Sequence, residues 1–295
     1  MTAVPPTPTP TPVPALELNA GALRLALRPD LGGAIAGFWH DTTPVLRSCE
    51  PAELNASRPS ACFPMAPYSN RIGYRHFRWL GRDFRTALNF DEGNPHSLHG
   101  TVWQEPWRVT GANPTQVELA VTHLANEHWP FNFDATQSFE LSETALTLRM
   151  TLTNIDARTQ PAGFGWHPYF PKRSRSRLHV ECSQRWESDP STQLPTRRVQ
   201  QGSIDAELRH LDFDNCFEGW RGAASIRDEK LALKITSSLP YLVVFTPPTR
   251  DYFCVEPVSH VSNAVQMGDP AAHGLVSLEA GESIEAWMTI EVSRP

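Results

Sequence analysis

The sequence is poor in the features that mark several large classes of protein. It has five cysteines, and they are widely spread and form no CxxC pair: Cys49, Cys62, Cys182, Cys216 and Cys254. An odd and scattered set predicts neither a disulfide framework nor a zinc cluster, so we expect reduced thiols in a cytoplasmic protein. There is no apolar run of about 18 residues and no secretory signal, so we expect no membrane partner.

An excess of positive charge is also missing. The chain has 26 Lys and Arg against 32 Asp and Glu, a formal net charge of −6. A nucleic-acid partner is therefore not expected, because it would require a basic face. The motifs GxGxxG, GxSxG, HExxH and the Walker loop do not occur, which removes the dinucleotide-binding, α/β-hydrolase, zincin and ATP-binding classes at the motif level.

Long helical segments are scarce, because 27 prolines and 17 glycines recur between short apolar runs. Residues 145–154 alternate apolar and polar side chains, as half-buried strands do. Gly81 separates two further runs, 76–80 and 82–86, as in a β-hairpin. Helical turns are predicted only at 47–52 and 259–267.

These patterns divide the chain into two parts. Residues 1–14 form a Pro/Thr tract that cannot bury a core, and they predict a disordered tail. Residues 15–295 predict one large antiparallel all-β domain, either a sandwich or a barrel-like pair of sheets.

One histidine stands on an aromatic, proline-locked turn, GWHPYF at 165–170. Pro168 biases the backbone of His167 toward extended geometry. The histidine is either a core residue satisfied by a backbone carbonyl or a proton-transfer group. Arg71, in the turn-like segment PYSNRIG, has a similar pair of interpretations: a surface salt bridge or a donor fork for ligand oxygens.

Two carboxylates lie near strands. Glu256 follows the apolar run YFCV, so it should be buried. A buried glutamate is either paired with another group or has a raised pKa, and a raised pKa suits a base that works near pH 7. Asp214 lies in the segment DFDNCF at 212–217, where an aspartate could equally cap a turn.

A histidine doublet, His96 and His99, precedes Gly100. Two histidines three apart could hold a metal, but zinc needs a third ligand that nothing nearby supplies. A hydrogen-bonding role for His99 beside the glycine is favoured, and it stays open whether His96 joins it.

Aromatic side chains accompany these polar groups. Trp166 and Tyr169 flank His167, and Trp39 and Trp103 are expected near the other groups. Sugars present hydroxyl edges to polar groups and C–H faces to aromatic rings, so the set predicts a carbohydrate site.

Taken in order, five short segments resemble the aldose 1-epimerase (galactose mutarotase) family across residues 16–292. They are Asn70-Arg71-Ile72, Leu98-His99-Gly100, His167-Pro168-Tyr169-Phe170, Asp214-Asn215-Cys216-Phe217 and the segment Val255 to His260.

The resemblance implies a large antiparallel β-supersandwich that interconverts the α and β anomers of a free hexose such as glucose or galactose. It implies that Glu256 is the general base and His167 the general acid. Arg71, His99 and Asp214 would hold the sugar. No cofactor and no metal are implied, and the protein would be a monomer or a homodimer.

One departure and three alternatives accompany this expectation. The family often carries a glutamine on the strand before the glutamate segment, and here that strand reads LVVF at 242–245, which leaves the preferred aldose open. A hexose-6-phosphate epimerase would need a basic cluster at the pocket rim. A sugar-binding module would need neither His167 nor Glu256, and a glycosidase would use Asp214 and Glu256 as its carboxylate pair. Two basic sets are candidates for the phosphate cluster: Arg71 with Arg75, and Lys172 with Arg173 and Arg175.

Overall fold

Antiparallel strands supply nearly all the regular structure of residues 15–91 and 93–295, the part of the chain that the computed structural model describes. The predicted tail, residues 1–14, lies outside the described residues. The first strands are β1 Leu16–Ala20, β2 Leu23–Arg28, β3 Ala34–His40, β4 Thr43–Pro44, β5 Pro64–Met65, β6 Arg71–Ile72, β7 His76–Trp79, β8 Arg82–Arg85, β9 Ser97–Leu98, β10 Arg108–Asn113, β11 Gln116–His123, β12 Phe133–Leu141 and β13 Ala145–Asn154. The remaining strands are β14 Gln160–Ala162, β15 Gly165–Trp166, β16 Tyr169–Pro171, β17 Arg177–Val180, β18 Gln184–Ser188, β19 Pro195–Gln200, β20 Ile204–Glu207, β21 Asp214–Glu218, β22 Ala223–Arg227, β23 Ala232–Ser237, β24 Tyr241–Phe245, β25 Tyr252–Val258, β26 Val276–Leu278 and β27 Ser283–Ser293.

Helical structure in these residues is limited to single 3₁₀ turns. They are Pro51–Glu53, Gly73–Arg75, Leu208–His210, Ala264–Gln266 and Ala271–His273.

The two predicted helical turns, 47–52 and 259–267, are therefore helical only in part. In the first segment the amides of Arg47 and Cys49 donate to the carbonyls of Tyr169 and Ala36. Long-range bonds of this kind replace the local bonds that a helix would need.

Two large sheets dominate the architecture. One has the order β10-β11-β12-β13-β27-β23-β22-β17-β20, and the other has the order β19-β18-β21-β24-β25-β15-β5 with β16 also paired to β25. The central pairs β12–β13, β13–β27, β21–β24 and β24–β25 are antiparallel, and β7 and β8 form the predicted hairpin about Gly81. The predicted fold class, an all-β antiparallel supersandwich, is confirmed.

Strand β25 is buried on both faces, which explains its nearly continuous apolar sequence. Side chains alternate between the faces of a strand. Phe253 and Val255 thus join the main core, whereas Cys254 belongs to a second apolar cluster on the opposite face. Glu256 continues the second face, and that face carries the site described below.

All five cysteines are free of disulfides. None of the helical segments in residues 15–91 and 93–295 is long and apolar enough to cross a bilayer.

Candidate active site

The sheet register brings His167 opposite Glu256. Gly165 pairs with Val258, and Tyr169 pairs with Cys254 on the same strand. The two strands β15 and β16 are interrupted at His167 and Pro168, midway between those pairs, so the gap faces Glu256. A proline at such a break removes no ladder hydrogen bond, because the pairing has already stopped there.

These two side chains are in close contact. Nε2 of His167 lies 3.4 Å from Oε1 of Glu256, and the residues are 8% and 3% exposed. The imidazole packs against two rings, with centroids 4.5 Å from Tyr169 and 4.7 Å from Phe63. The aromatic walls and the backbone bond from the amide of His167 to the carbonyl of Phe63 fix the angle of the ring.

Burial shifts the pKa values of the two groups in opposite directions. It raises the pKa of Glu256 well above its usual value, and repulsion from Asp214 adds to this while Arg71 opposes it. Burial lowers the pKa of His167 to about 3, with a further contribution from the positive charge of Arg47. Both shifts disfavour the charged forms, so they favour a neutral pair in which a shared proton lies on Glu256 rather than on His167.

The loop that carries Arg71 is held from behind by a structural histidine. Nε2 of His260 accepts a hydrogen bond from the amide of Ser69 at 3.0 Å, and its Nδ1–H donates to the carbonyl of Val261 at 2.8 Å. Asn70, which has a φ of 56°, accepts from Nη1 of Arg71 at 3.0 Å. The guanidinium is thereby directed along the pocket wall.

His99 is in the pocket as a neutral donor. Its Nδ1 accepts from the amide of Asn70 at 3.2 Å, so its proton must be on Nε2. Burial lowers the pKa of His99 well below its usual value, and the neighbouring His167 adds to this. Gly100 follows with a φ of 74°, and a Cβ there would lie 1.8 Å from the carbonyl oxygen of Ala66, so only glycine fits beside the histidine.

Asp214 begins β21, two residues before Cys216, which pairs with Val243. Val243 in turn pairs with Glu256. Oδ2 of Asp214 lies 3.6 Å from Nη2 of Arg71, and its side chain is 42% exposed. The carboxylate can therefore reach both the arginine and a bound molecule.

The five predicted site residues share one pocket of about 320 Å³. The structure adds lining residues that the sequence patterns did not single out: Arg58, Phe63, Phe90, Gln193, Arg250 and Tyr252. A turn-rich segment such as 189–194 gives no local signal that it returns to a distant pocket.

His96 has a different position from His99. Its Nδ1 accepts from the amide of Tyr74 at 2.9 Å, and its Nε2–H donates to the carbonyl of Thr192 at 2.8 Å. It does not line the pocket. Both ring nitrogens are used on backbone, so His96 supports the loop at 189–194.

Two of the tryptophans expected beside the polar groups are elsewhere. Trp166 is fully buried and donates from Nε1 to Gln137 at 2.9 Å. Trp39 lies in a separate apolar cluster under the guanidinium of Arg24. Trp103 lies behind Phe63, with the two rings tilted and their centroids 5.4 Å apart. The expectation was wrong for Trp39 and Trp166, because strand alternation turns their rings away from the pocket.

The basic cluster after the His167 turn is also not at the pocket. Nζ of Lys172 donates to the carbonyl of Pro247 at 2.6 Å, and Arg173 pairs with Asp228 at 2.6 Å. Arg175 and Arg75 do not line the pocket either. The arginines that do line it, besides Arg71, are Arg58 and Arg250.

Ligand atoms of His167, Cys254 and Glu256 all lie within 4.8 Å of one another. A metal would require the thiolate of Cys254. Burial, with the nearby Glu256, raises the pKa of that thiol well above its usual value. A metal ion bound by these three groups would have to displace the proton that burial holds on this thiol.

Comparison with known proteins gives a consistent result. A family model described as aldose 1-epimerase matches residues 14–291. YphB of Escherichia coli (strain K12), a protein without an assigned activity, is 30% identical over 298 residues, which cover 93% of this chain and 97% of YphB.

Solved structures agree with the family match. A structure from Escherichia coli K12, provisionally described as an aldose 1-epimerase, superposes with a TM-score of 0.86 at 29% identity and covers 96% of this chain and 99% of its own. A galactose mutarotase-like protein from Clostridium acetobutylicum superposes with a TM-score of 0.85 at 19% identity, covering 95% of each chain. At 19% identity, this second similarity shows only that the two proteins share a fold.

Proposed function

The chain belongs to the aldose 1-epimerase family, and on that premise we propose that it is a mutarotase that interconverts the α and β anomers of a free hexose. The observation that carries the proposal is the contact of Nε2 of His167 with Oε1 of Glu256 at 3.4 Å. The pair lies among Arg71, His99 and Asp214 in a pocket of about 320 Å³. Such a pocket has room for one sugar ring.

The reaction needs one proton removed and one delivered. Glu256 takes the proton from the anomeric hydroxyl, and His167 delivers a proton to the ring oxygen, so the bond between C1 and the ring oxygen breaks and the open aldehyde forms. Rotation about C1–C2 turns the other face of the aldehyde to the ring hydroxyl. Reversal of both transfers closes the other anomer. Acid–base catalysis of this kind supplies about 10² to 10⁴-fold.

The opposed pKa shifts suit the ring-opening step. Glu256 binds a proton more tightly than an ordinary carboxylate and His167 releases one more readily than an ordinary imidazolium, so ring opening carries the proton pair toward its favoured neutral form. The reacting complex therefore requires the bound sugar and Arg71 to favour the charged form before the transfer. Arg71 contributes by lowering the pKa of Glu256.

The remaining polar groups orient the ring. Nε2–H of His99 and the guanidinium of Arg71 can only donate in the states described above, and Asp214 can only accept. Three groups with fixed roles can hold hydroxyls in one orientation, and orientation supplies the part of the rate that proton transfer does not.

Polarimetry tests the proposal directly. Freshly dissolved α-D-glucose and α-D-galactose should equilibrate faster with the protein than without it. The variants Glu256→Gln and His167→Asn should lose the acceleration, whereas Glu291→Gln and His179→Asn, on exposed strand positions, should keep it. Full activity in Glu256→Gln or His167→Asn would contradict the assignment.

A phosphorylated hexose is a second candidate substrate, because Arg58 and Arg250 line the pocket together with Arg71. Arg58 already pairs with Asp91 at 2.6 Å, but both partners are at least half exposed, so the pair can exchange for a phosphate at small cost. Acceleration of the anomerisation of glucose 6-phosphate that falls in Arg250→Met would support this substrate. Acceleration with glucose alone would exclude it.

A further inference from the structure

One lining residue comes from a part of the chain far from the other site segments. Gln193 lies in the connection between β18 and β19, and it reaches the pocket that His167 and Glu256 close. Its Oε1 accepts a hydrogen bond from Nη2 of Arg71 at 2.7 Å. The connection therefore forms part of the pocket wall.

The connection is held in this position by its own bonds and by His96. Oδ1 of Asp189 accepts from the amides of Ser191 and Thr192 at 2.8 and 2.9 Å, and the amide of Gln193 donates to the carbonyl of Asp189 at 2.7 Å. His96 holds the same connection by donating to the carbonyl of Thr192.

Gln193 itself has a φ of 57°, a left-handed backbone that is uncommon for a residue with a long side chain. The turn bonds at Asp189 and the bond from His96 hold the backbone in this conformation.

The chemistry of the contact fixes which end of the amide faces the pocket. A guanidinium only donates, so Arg71 must face the oxygen of Gln193. The amide nitrogen is then left as a donor, and it has no acceptor among the described residues. Val243, which faces the same pocket beside Glu256, offers no polar atom. Gln193 thus offers a neutral amide donor in this part of the wall, in a pocket that Asn70 and Asn94 also line.

We propose that Gln193 is a specificity-determining residue that donates its amide N–H to one ring hydroxyl of the sugar, while Asp214 accepts the proton of that hydroxyl. Asp214 lies 3.6 Å from the same Nη2 of Arg71 that Gln193 contacts, so the donor and the acceptor flank one position. A hydroxyl can use both at once, and a hydrogen atom at that carbon can use neither. The inference rests on the proposed function, because it assigns a residue that determines sugar specificity within the same site.

The test is a thermodynamic cycle that combines substitutions of Gln193 with removal of single hydroxyl groups from the sugar. We would compare the wild type with Gln193→Ala and Gln193→Glu on glucose and on its 2-, 3-, 4- and 6-deoxy derivatives. Gln193→Glu keeps an acceptor for Arg71 but loses the donor. Gln200→Ala, at an exposed position on the same β18–β19 hairpin, is the matched control.

For glucose we expect kcat/KM to fall by about 2- to 12-fold in Gln193→Ala, the range that a neutral hydrogen bond supplies, and at least as far in Gln193→Glu, whose charge adds repulsion at Glu256. For one deoxy sugar the wild type should already show at least this loss, because the bond to Asp214 is lost as well, and Gln193→Ala should lose nothing more. Gln200→Ala should match the wild type on every sugar. An equal loss on all the deoxy sugars would overturn the inference, because Gln193 would then act only through the position of Arg71.

The same cycle separates the inference from the proposed function. If the wild type binds sugar without accelerating mutarotation, the proposed function fails, and the cycle is measured in Kd with the same expectation. If it accelerates mutarotation but the variants are unchanged on glucose, only the inference about Gln193 fails. If it neither binds nor accelerates, both fail.

Discussion

Replacing Glu256 by glutamine should stabilise the protein at neutral pH while it removes activity. The side chain is 3% exposed, and burial with repulsion from Asp214 raises its pKa well above the usual value. Between the unfolded pKa and this raised folded pKa, the folded state binds more protons than the unfolded state. Stability contributed by this residue is therefore complete at pH below the unfolded value and is lost as the pH rises through that interval. An uncharged amide of the same shape avoids the loss.

The size of the effect follows from linkage. Each unit by which the folded pKa exceeds the unfolded one costs about 1.4 kcal/mol at pH above both. In chains of 150–250 residues, about 1 kcal/mol shifts Tm by roughly 2–4 °C, and a somewhat smaller shift is expected at 295 residues. We expect Glu256→Gln to melt at least a few degrees above the wild type at pH 8, and the difference to close toward pH 4.

The measurement is thermal unfolding followed by circular dichroism from pH 4 to 9. Asp214→Asn is the matched control, because it removes the second cause of the shift and leaves the burial of Glu256. Its side chain is 42% exposed, so it should give a smaller gain of the same sign. A difference between Glu256→Gln and the wild type that is constant across the pH range, or a lower Tm at pH 8, would refute the reasoning.

Two further predictions concern the proton pair. If catalysis needs one shared proton, the acid limb of kcat/KM should lie near the His167 pKa of about 3 rather than near 4.3, the value of an ordinary glutamate. A limb above pH 4 in protein that is still folded by circular dichroism would contradict this. Arg47 lies 3.7 Å over the ring of Tyr169 and helps to lower the pKa of His167. Arg47→Met should therefore move the acid limb to higher pH, and an unchanged limb would show that burial alone sets it.

The sequence predicts the fold class well, because alternation of polar and apolar residues directly reflects a pleated strand. It also predicts a buried Glu256, since β25 is apolar on both faces and a glutamate there stands out. The same logic fails for Trp39 and Trp166. Alternation says that a ring is buried but not which of two buried faces it enters, and both rings enter the face away from the pocket.

The residues that the sequence patterns missed share a physical cause. Gln193, Arg58 and Arg250 lie in connections between strands. The sequence there has no alternation of apolar and polar residues that would predict which way a side chain points. The position of Gln193 depends on a bond from the distant His96 to the carbonyl of Thr192. Of the two histidines three residues apart, His99 therefore lines the pocket and His96 supports a loop. Their spacing in the sequence does not predict this difference.

The hydrogen bonds of four buried histidines give an independent reason to choose His167 as the proton carrier; a fifth, His123, contacts Glu105 and does not line the pocket. His96, His99 and His260 each accept a hydrogen bond from a backbone amide. Protonating any of them would turn that acceptor into a donor and leave a buried amide unpaired, at a cost of about 1–3 kcal/mol. His167 carries no such bond, and its Nδ1 is buried without a partner in the described part of the chain. Among these four rings, His167 alone can gain and lose a proton without breaking a backbone hydrogen bond, and it is the one that contacts Glu256.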